Sequence, residues 1–163
     1  FLDVVEALVI GQLRERGISM QYIRACRGRL AEVTCSEHPF AHARLRTEGC
    51  RLFLQEHLDG KNLITDVRKM QIEFTTVVEP YLKELDYDPT THLATRWRIA
   101  RGIVVDPKVG FGTPVIDGTG IAAHTLAAAF WANESNAHAV ARAYRVRRRQ
   151  VLDAVAFESE RAA

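Results

Sequence analysis

The chain has 163 residues, 47% of them hydrophobic, with 22 Lys/Arg, 20 Asp/Glu and a net charge of +2 at pH 7. That length allows one domain or two small ones with a buried core. The composition is ordinary for a globular protein, and no apolar run approaches the roughly 18–20 residues of a membrane span. Three cysteines (Cys26, Cys35 and Cys50), odd in number and widely spaced, suit a reducing cytoplasm and not a disulfide framework. The first residue is Phe1, with no basic-then-apolar leader, so the expectation is a chain that starts inside a longer protein.

Charge is uneven along the sequence. Residues 96–163 carry ten Lys/Arg against six Asp/Glu, and residues 1–95 twelve against fourteen. A basic C-terminal part behind a mildly acidic N-terminal part fits a polyanion contact at one end, or, more plainly, a solvated charged face. Arginine outnumbers lysine 18 to 4 and alanine is abundant, which hints at a GC-rich bacterial genome.

Leu2, Val5, Val9 and Leu13 fall three or four apart, predicting an amphipathic helix from Leu2 to Arg16 that Gly17 ends. Ser19 caps a second helix from Met20 to about Leu30, with Ile18 and Ile23 spaced as a hydrophobic staple and Ile23 and Leu30 on one face. The stretch FLDVVEALVIGQLRERGISMQYIRACRGRL resembles the helical segment that follows the winged helix in regulators of the MerR type. In those an aspartate-led helix, a glycine, a serine and an Ile-Arg pair recur. The resemblance covers Phe1–Leu30 and implies a winged-helix module upstream. It carries no DNA-contacting residue onto this segment.

His38 to Ala43 reads as a turn around Pro39. Arg44–Thr47, Glu48-Gly49 and Cys50–Gln55 read as a β-hairpin, and Asn62–Val67 as a returning strand after Asp59-Gly60. Gln71–Val78 suits a short helix or strand ended by Glu79-Pro80. Leu82–Tyr87 and Ala94–Ile99 suit extended segments, with Asp88-Pro89 between them as a break. A domain boundary is expected between Asp88 and Gly102, giving domains 1–95 and 96–163.

From Ile103 a strand (Ile103–Val105) leads through Asp106-Pro107 to a glycine-punctuated hairpin, GFGTPVIDGTG, and then to helices. This loop lacks the Gly-Lys-Ser/Thr ending of a phosphate loop, so its glycines are read as turns. Asn133 marks a helix stop and Ser135 the next N-cap. Val140 and Tyr144, then Val151, Leu152 and Val155, fall at helical spacing on two helices joined by a tight turn. Five arginines (Arg142, Arg145, Arg147, Arg148 and Arg149) lie there with no acid among them. Two short helices with cations at the head of the second form the pattern of a DNA-binding helix-turn-helix. In it, Gln150 could make a bidentate contact to adenine. Because each helical step rotates about 100°, the arginines cannot all share one face, and some are expected to reach phosphate. Three cations at a helix N-terminus oppose the macrodipole, which points to a function or to a partner acid. Phe130 and Trp131 are read most simply as core, with a partner contact as the alternative for Trp131, since aromatic side chains are enriched in interfaces.

Other chemistry finds little support. Cys35, His38 and His42 form the one metal-like cluster, short of the four ligands usual for structural zinc, and no metal or cofactor is expected. There is no nucleophile elbow, no His-Glu-x-x-His and no paired acids in a glycine frame. No catalytic residue is therefore assigned, and the chain is read as not an enzyme.

The residues Asp106-Pro107, Gly112-x-Pro114-Val115-Ile116-x-Gly118-Thr119-x-Ile121, Ser135, Tyr144, Val151 and Ala154 resemble the small family called domain of unknown function 433. With the MerR-like start and the linking HPFA, EG and VVEPYL stretches, the whole chain resembles antitoxins of the Vap type. Gly120 departs from that pattern, where arginine is usual, and so does Arg145, where glycine or proline-glycine is usual.

The expected architecture is α+β and mostly helical. It comprises an N-terminal helical hairpin with a small antiparallel sheet, then a C-terminal hairpin with a three-helix helix-turn-helix. The resemblance implies an autoregulating antitoxin that neutralises a PIN-domain ribonuclease toxin, binds operator DNA and forms a homodimer. Arg161, in a flexible ESERAA end, is the candidate toxin contact. The alternatives are a dimerisation or toxin-binding module, with DNA read only upstream, and a MerR-like regulator.

Overall fold

The computed structural model describes residues 1–45 and 78–162. They fall into two units, Phe1–Thr95 and Arg96–Ala163, and the fold is mixed α+β with a small antiparallel sheet.

In the first unit, α1 (Leu2–Glu15) buries Val5, Val9 and Leu13, the predicted apolar face. It ends in a Schellman motif: Ile18 N–H donates to the Leu13 carbonyl and Gly17 N–H to that of Arg14. Gly17, at φ 82°, takes the left-handed position that such an ending needs. The Ser19 hydroxyl accepts from Tyr22 N–H at 3.2 Å to cap α2 (Met20–Thr34). This helix runs one turn past its expected end, stopped by Cys35 in the left-handed region at φ 50°. Ile23, Cys26 and Leu30 form its buried face.

A 3-10 turn, Pro39–Ala41, packs Phe40 fully out of solvent against α1 and α2. One charged group goes inside with it. Glu6 is 7% exposed; its carboxylate accepts from Phe40 N–H at 3.1 Å and from the Arg27 guanidinium at 3.2 Å.

Arg44 and Leu45 are helical, where a strand was expected to begin. The remainder of that hairpin, the Asn62–Val67 strand and Gln71–Val77 lie outside the described residues. Glu79-Pro80 does not end an element but opens one. In α3 (Glu79–Lys83) Pro80 sits in the first turn, where its missing N–H would have had no helical partner anyway. Strands β1 (Leu85–Tyr87), β2 (Ala94–Ala100), β3 (Ile103–Val105) and β4 (Val115–Ile116) follow in that order in a four-stranded sheet.

His42 is buried, and its Nδ1 accepts from Arg44 N–H at 3.1 Å. Burial, then the nearby His92 and Arg44, hold its imidazole below the ordinary range. An unfolded chain protonates this histidine more readily, so its contribution to stability is complete above about pH 6.5 and is lost as the pH falls below that. Urea midpoints should therefore drop between neutral pH and about pH 5.5, and His42→Asn, which keeps an acceptor but does not titrate, should remove that share of the drop.

The second unit is built on its hairpin. Ile103 pairs with Ile116 and Val104 with Val115. Asp106 accepts from Lys108 N–H and Val109 N–H, closing the turn around Pro107. The Pro114 carbonyl then accepts from Ala123 N–H, seating the start of α4 (Ala123–Ala132). Ala123, Leu126, Ala127 and Phe130 face inward. Trp131, one residue on and about 100° round the helix, is 56% exposed and meets Phe130 edge-on with centroids 4.9 Å apart. The expectation that it is core is corrected.

Asn133 does stop α4, but the left-handed residues are Glu134 and Ser135, with Ser135 N–H donating to the Phe130 carbonyl. The N-cap of α5 (Ala137–Tyr144) is accordingly Asn136, not Ser135: its side-chain oxygen accepts from Ala139 N–H at 3.1 Å. Helix α6 (Arg148–Ala162) packs on both α4 and α5. Val140, Val151 and Ala154 are buried, whereas Tyr144 and Leu152 are exposed. Ala154, three residues after Val151, completes the inward face that Leu152 was expected to share. No helix among the described residues is long and apolar enough to cross a membrane.

Candidate nucleic-acid interface

Arg145, Val146 and Arg147 join α5 to α6. Arg145 N–H and Val146 N–H turn back to the Arg142 and Ala141 carbonyls, which puts Arg145 at φ 54°, the position that usually takes glycine. Val146 packs against the core of the unit and anchors the turn from below. A non-glycine residue there costs about 1–2 kcal/mol. Arg145→Gly should raise the stability of this unit by about 1 kcal/mol, read as a higher midpoint in thermal or urea unfolding.

Gln150 fixes the start of α6. Its side-chain oxygen accepts from Arg147 N–H at 2.9 Å while Arg147 accepts from Gln150 N–H, an arrangement like a capping box. The other end of the amide donates to the Asp117 carbonyl at 3.3 Å. Held at both ends, this side chain positions the helix head and would have to give up these bonds to reach a base edge.

The five arginines are all exposed, and they divide into two groups. Arg149 lies 3.9 Å from Asp153, one helical turn on, and Arg101, from the β2–β3 turn, lies 3.9 Å from the same carboxylate. Asp153 is a partner acid of the kind the sequence allowed for, but for Arg149 alone of the five. Arg142, Arg145, Arg147 and Arg148 have no ion-pair acid among the described residues. The first turn of α6 holds no acidic residue. Arg147 and Arg148, uncompensated at the head of α6, cost a few tenths to about 1 kcal/mol each, whereas Arg142 and Arg145 lie at the end of α5, where the dipole favours a cation.

Arg161 is not in a flexible end. It belongs to α6, pairs with Glu158 at 3.4 Å and lies over the Phe157 ring at 5.6 Å. The three residues weighed and set aside as a metal cluster are engaged separately. Cys35 is exposed near the Glu32 carbonyl, His42 is engaged by Arg44 N–H, and His38 faces Asp3 and Glu6. Asp3, Glu6 and His38 do bring donor atoms within 4.8 Å, but the Arg27 guanidinium already supplies positive charge to Glu6. Gly120 sits at φ 70°, a conformation that an arginine there would strain.

Residues 103–157 match the family described as "Protein of unknown function (DUF433)". The chain is also similar to the Mycobacterium tuberculosis protein named "Putative antitoxin VapB45", at 30% identity over 135 residues. That match takes in 74% of this chain and 55% of the relative, so the chain spans about half of the relative's length. The crystal structure of Rv2018 from the same organism superposes with a TM-score of 0.75 at 26% identity, covering 95% of this chain and 77% of that one.

Two features were missed in the sequence. Arg101 gave no signal, because only the folded hairpin brings it to residues 147–153. Asp153, four residues after Arg149, carried the ordinary helical pairing signal.

Proposed function

We propose that this chain is the antitoxin of a toxin–antitoxin pair, that it neutralises a PIN-domain ribonuclease, and that it binds the DNA upstream of its own gene. The similarity to a protein named as an antitoxin, over 74% of this chain, carries the first part. The DNA reading rests on one observation. The head of a 15-residue helix, presented by a three-residue turn, displays arginines that no acid offsets. That is the face a helix-turn-helix lays into a major groove. Domains 1–95 and 96–163 then divide the work, with the MerR-like hairpin leading to an upstream module and the C-terminal domain gripping the duplex backbone. The reading is of a non-enzymatic, cytoplasmic homodimer.

A second reading, a surface for a protein partner, is favoured by exposed aromatics. Phe111, in the left-handed region at φ 51° between two glycines, is fully exposed, and Trp131 is half-exposed.

Fluorescence anisotropy with the gene's upstream duplex tests the DNA reading. Binding that weakens steeply with salt supports it. Binding no tighter than that of bovine albumin at low salt would sink it.

A further inference from the structure

A cleft of about 280 Å³ is lined by Arg101, Arg147 and Arg149, from a strand turn, a helix cap and the helix itself. Asp153, 17% exposed in its side chain, stands between Arg101 and Arg149, 3.9 Å from each. That distance is an ion pair but too long for a hydrogen bond, so Asp153 leaves both arginines with N–H donors to give. Asp117, the other acid lining the cleft, is taken by Arg96 at 3.0 Å. Three arginines therefore line the cleft beside one carboxylate, Asp153, which pairs with two of them.

Two further features keep the cleft open and aligned. Gly102 has φ 70°, and a Cβ there would lie 3.2 Å from the Asp153 carboxylate, so any side chain would crowd it. Gln150 ties Arg147 N–H to the Asp117 carbonyl, holding the cap arginine to the strand end.

We infer that this cleft is a cradle for one backbone phosphate of DNA, with Arg101 a binding residue and Asp153 a positioning residue that spaces two guanidiniums until the phosphate enters. The inference rests on the DNA reading above and deepens it. It divides the arginines into a phosphate clamp (Arg101, Arg147 and Arg149) and a freer group led by Arg148. Guanidinium groups suit this ligand because a planar fork can give two N–H donors to two phosphate oxygens. A clamp of this kind sets the register of the helix on the duplex and reads no sequence.

The test uses the full chain and a labelled duplex of arbitrary sequence, titrated by anisotropy over a range of salt. Arg101→Ala should reduce the slope of log K against log salt by about 0.9 and weaken binding roughly fivefold near 0.15 M. Arg101→Lys, which restores a charge, should recover most of the slope. Arg24→Ala, an exposed arginine in the first unit, should leave it unchanged. Arg101 is 68% exposed, and an unaltered circular-dichroism spectrum would show that the variant folds. If Arg148→Ala lowers the slope and Arg101→Ala does not, the cradle is overturned while the DNA reading stands. If neither lowers it, both are overturned. A ribonuclease partner whose binding falls with Arg101→Ala while the DNA slope holds would assign the cleft to a protein carboxylate and overturn the cradle.

Discussion

Replacing Arg145 and Arg148 together by alanine should lower the salt slope of DNA binding by about two and weaken binding roughly 30-fold near 0.15 M. The two lie at the turn and at the first residue of α6, both exposed, with no ion-pair acid among the described residues. Neither substitution removes a buried contact, so the loss should not come from unfolding. Arg148→Ala also relieves a cation at a helix N-terminus, and the variant should be slightly more stable than the parent. Tighter folding with weaker DNA binding is a pairing that a purely structural role for these arginines would not produce. Salt-dependent anisotropy and thermal melts on the same samples read both quantities.

Glu6→Leu should destabilise the first unit by about 2–4 kcal/mol. The carboxylate is almost out of solvent and accepts from Phe40 N–H and from Arg27. Leucine would leave a buried peptide donor unpaired beside the fully buried Phe40 ring, while the half-exposed Arg27 would keep only its bond to the Glu37 carbonyl. Glu6→Gln keeps a neutral acceptor for the peptide donor and should cost less, about 1–2 kcal/mol. Urea unfolding of the two variants compares them directly. Equal losses would show that packing volume, not hydrogen bonding, makes the site sensitive.

Local rules made the helices readable. Val5, Val9 and Leu13, the Ser19 cap and the Gly17 stop gave α1 and α2, because each signal acts within one or two turns of chain. The helix stop at Asn133 was legible for the same reason, but its detail was not. The left-handed pair at Glu134 and Ser135 moved the cap to Asn136, and neither residue is a usual choice for that conformation. Pro80 shows the opposite error, since proline bars a helix interior yet suits a first turn, and only the next residues decide between them. Trp131, Tyr144 and Leu152 went astray because an apolar type was taken for an inward face, when a single step of about 100° separates Trp131 from Phe130.

The site was half legible. Arginines crowded into one turn announce themselves in any sequence, but their division does not. Arg101 reaches the cleft through the β2–β3 turn, and Gln150, which looked suited to reading a base, is spent on holding the helix head to Asp117. Contacts between residues far apart in sequence are what periodicity and capping rules leave out, and they decide here which side chains are free to bind.

The central claim is that this chain restrains a ribonuclease. The direct measurement is the rate at which the product of the adjacent gene cleaves RNA, alone and with increasing amounts of this chain. Inhibition that saturates at a fixed stoichiometry, with the two proteins co-purifying, is the predicted result. An adjacent gene product that cleaves RNA at the same rate whatever the amount of this chain would contradict the antitoxin reading.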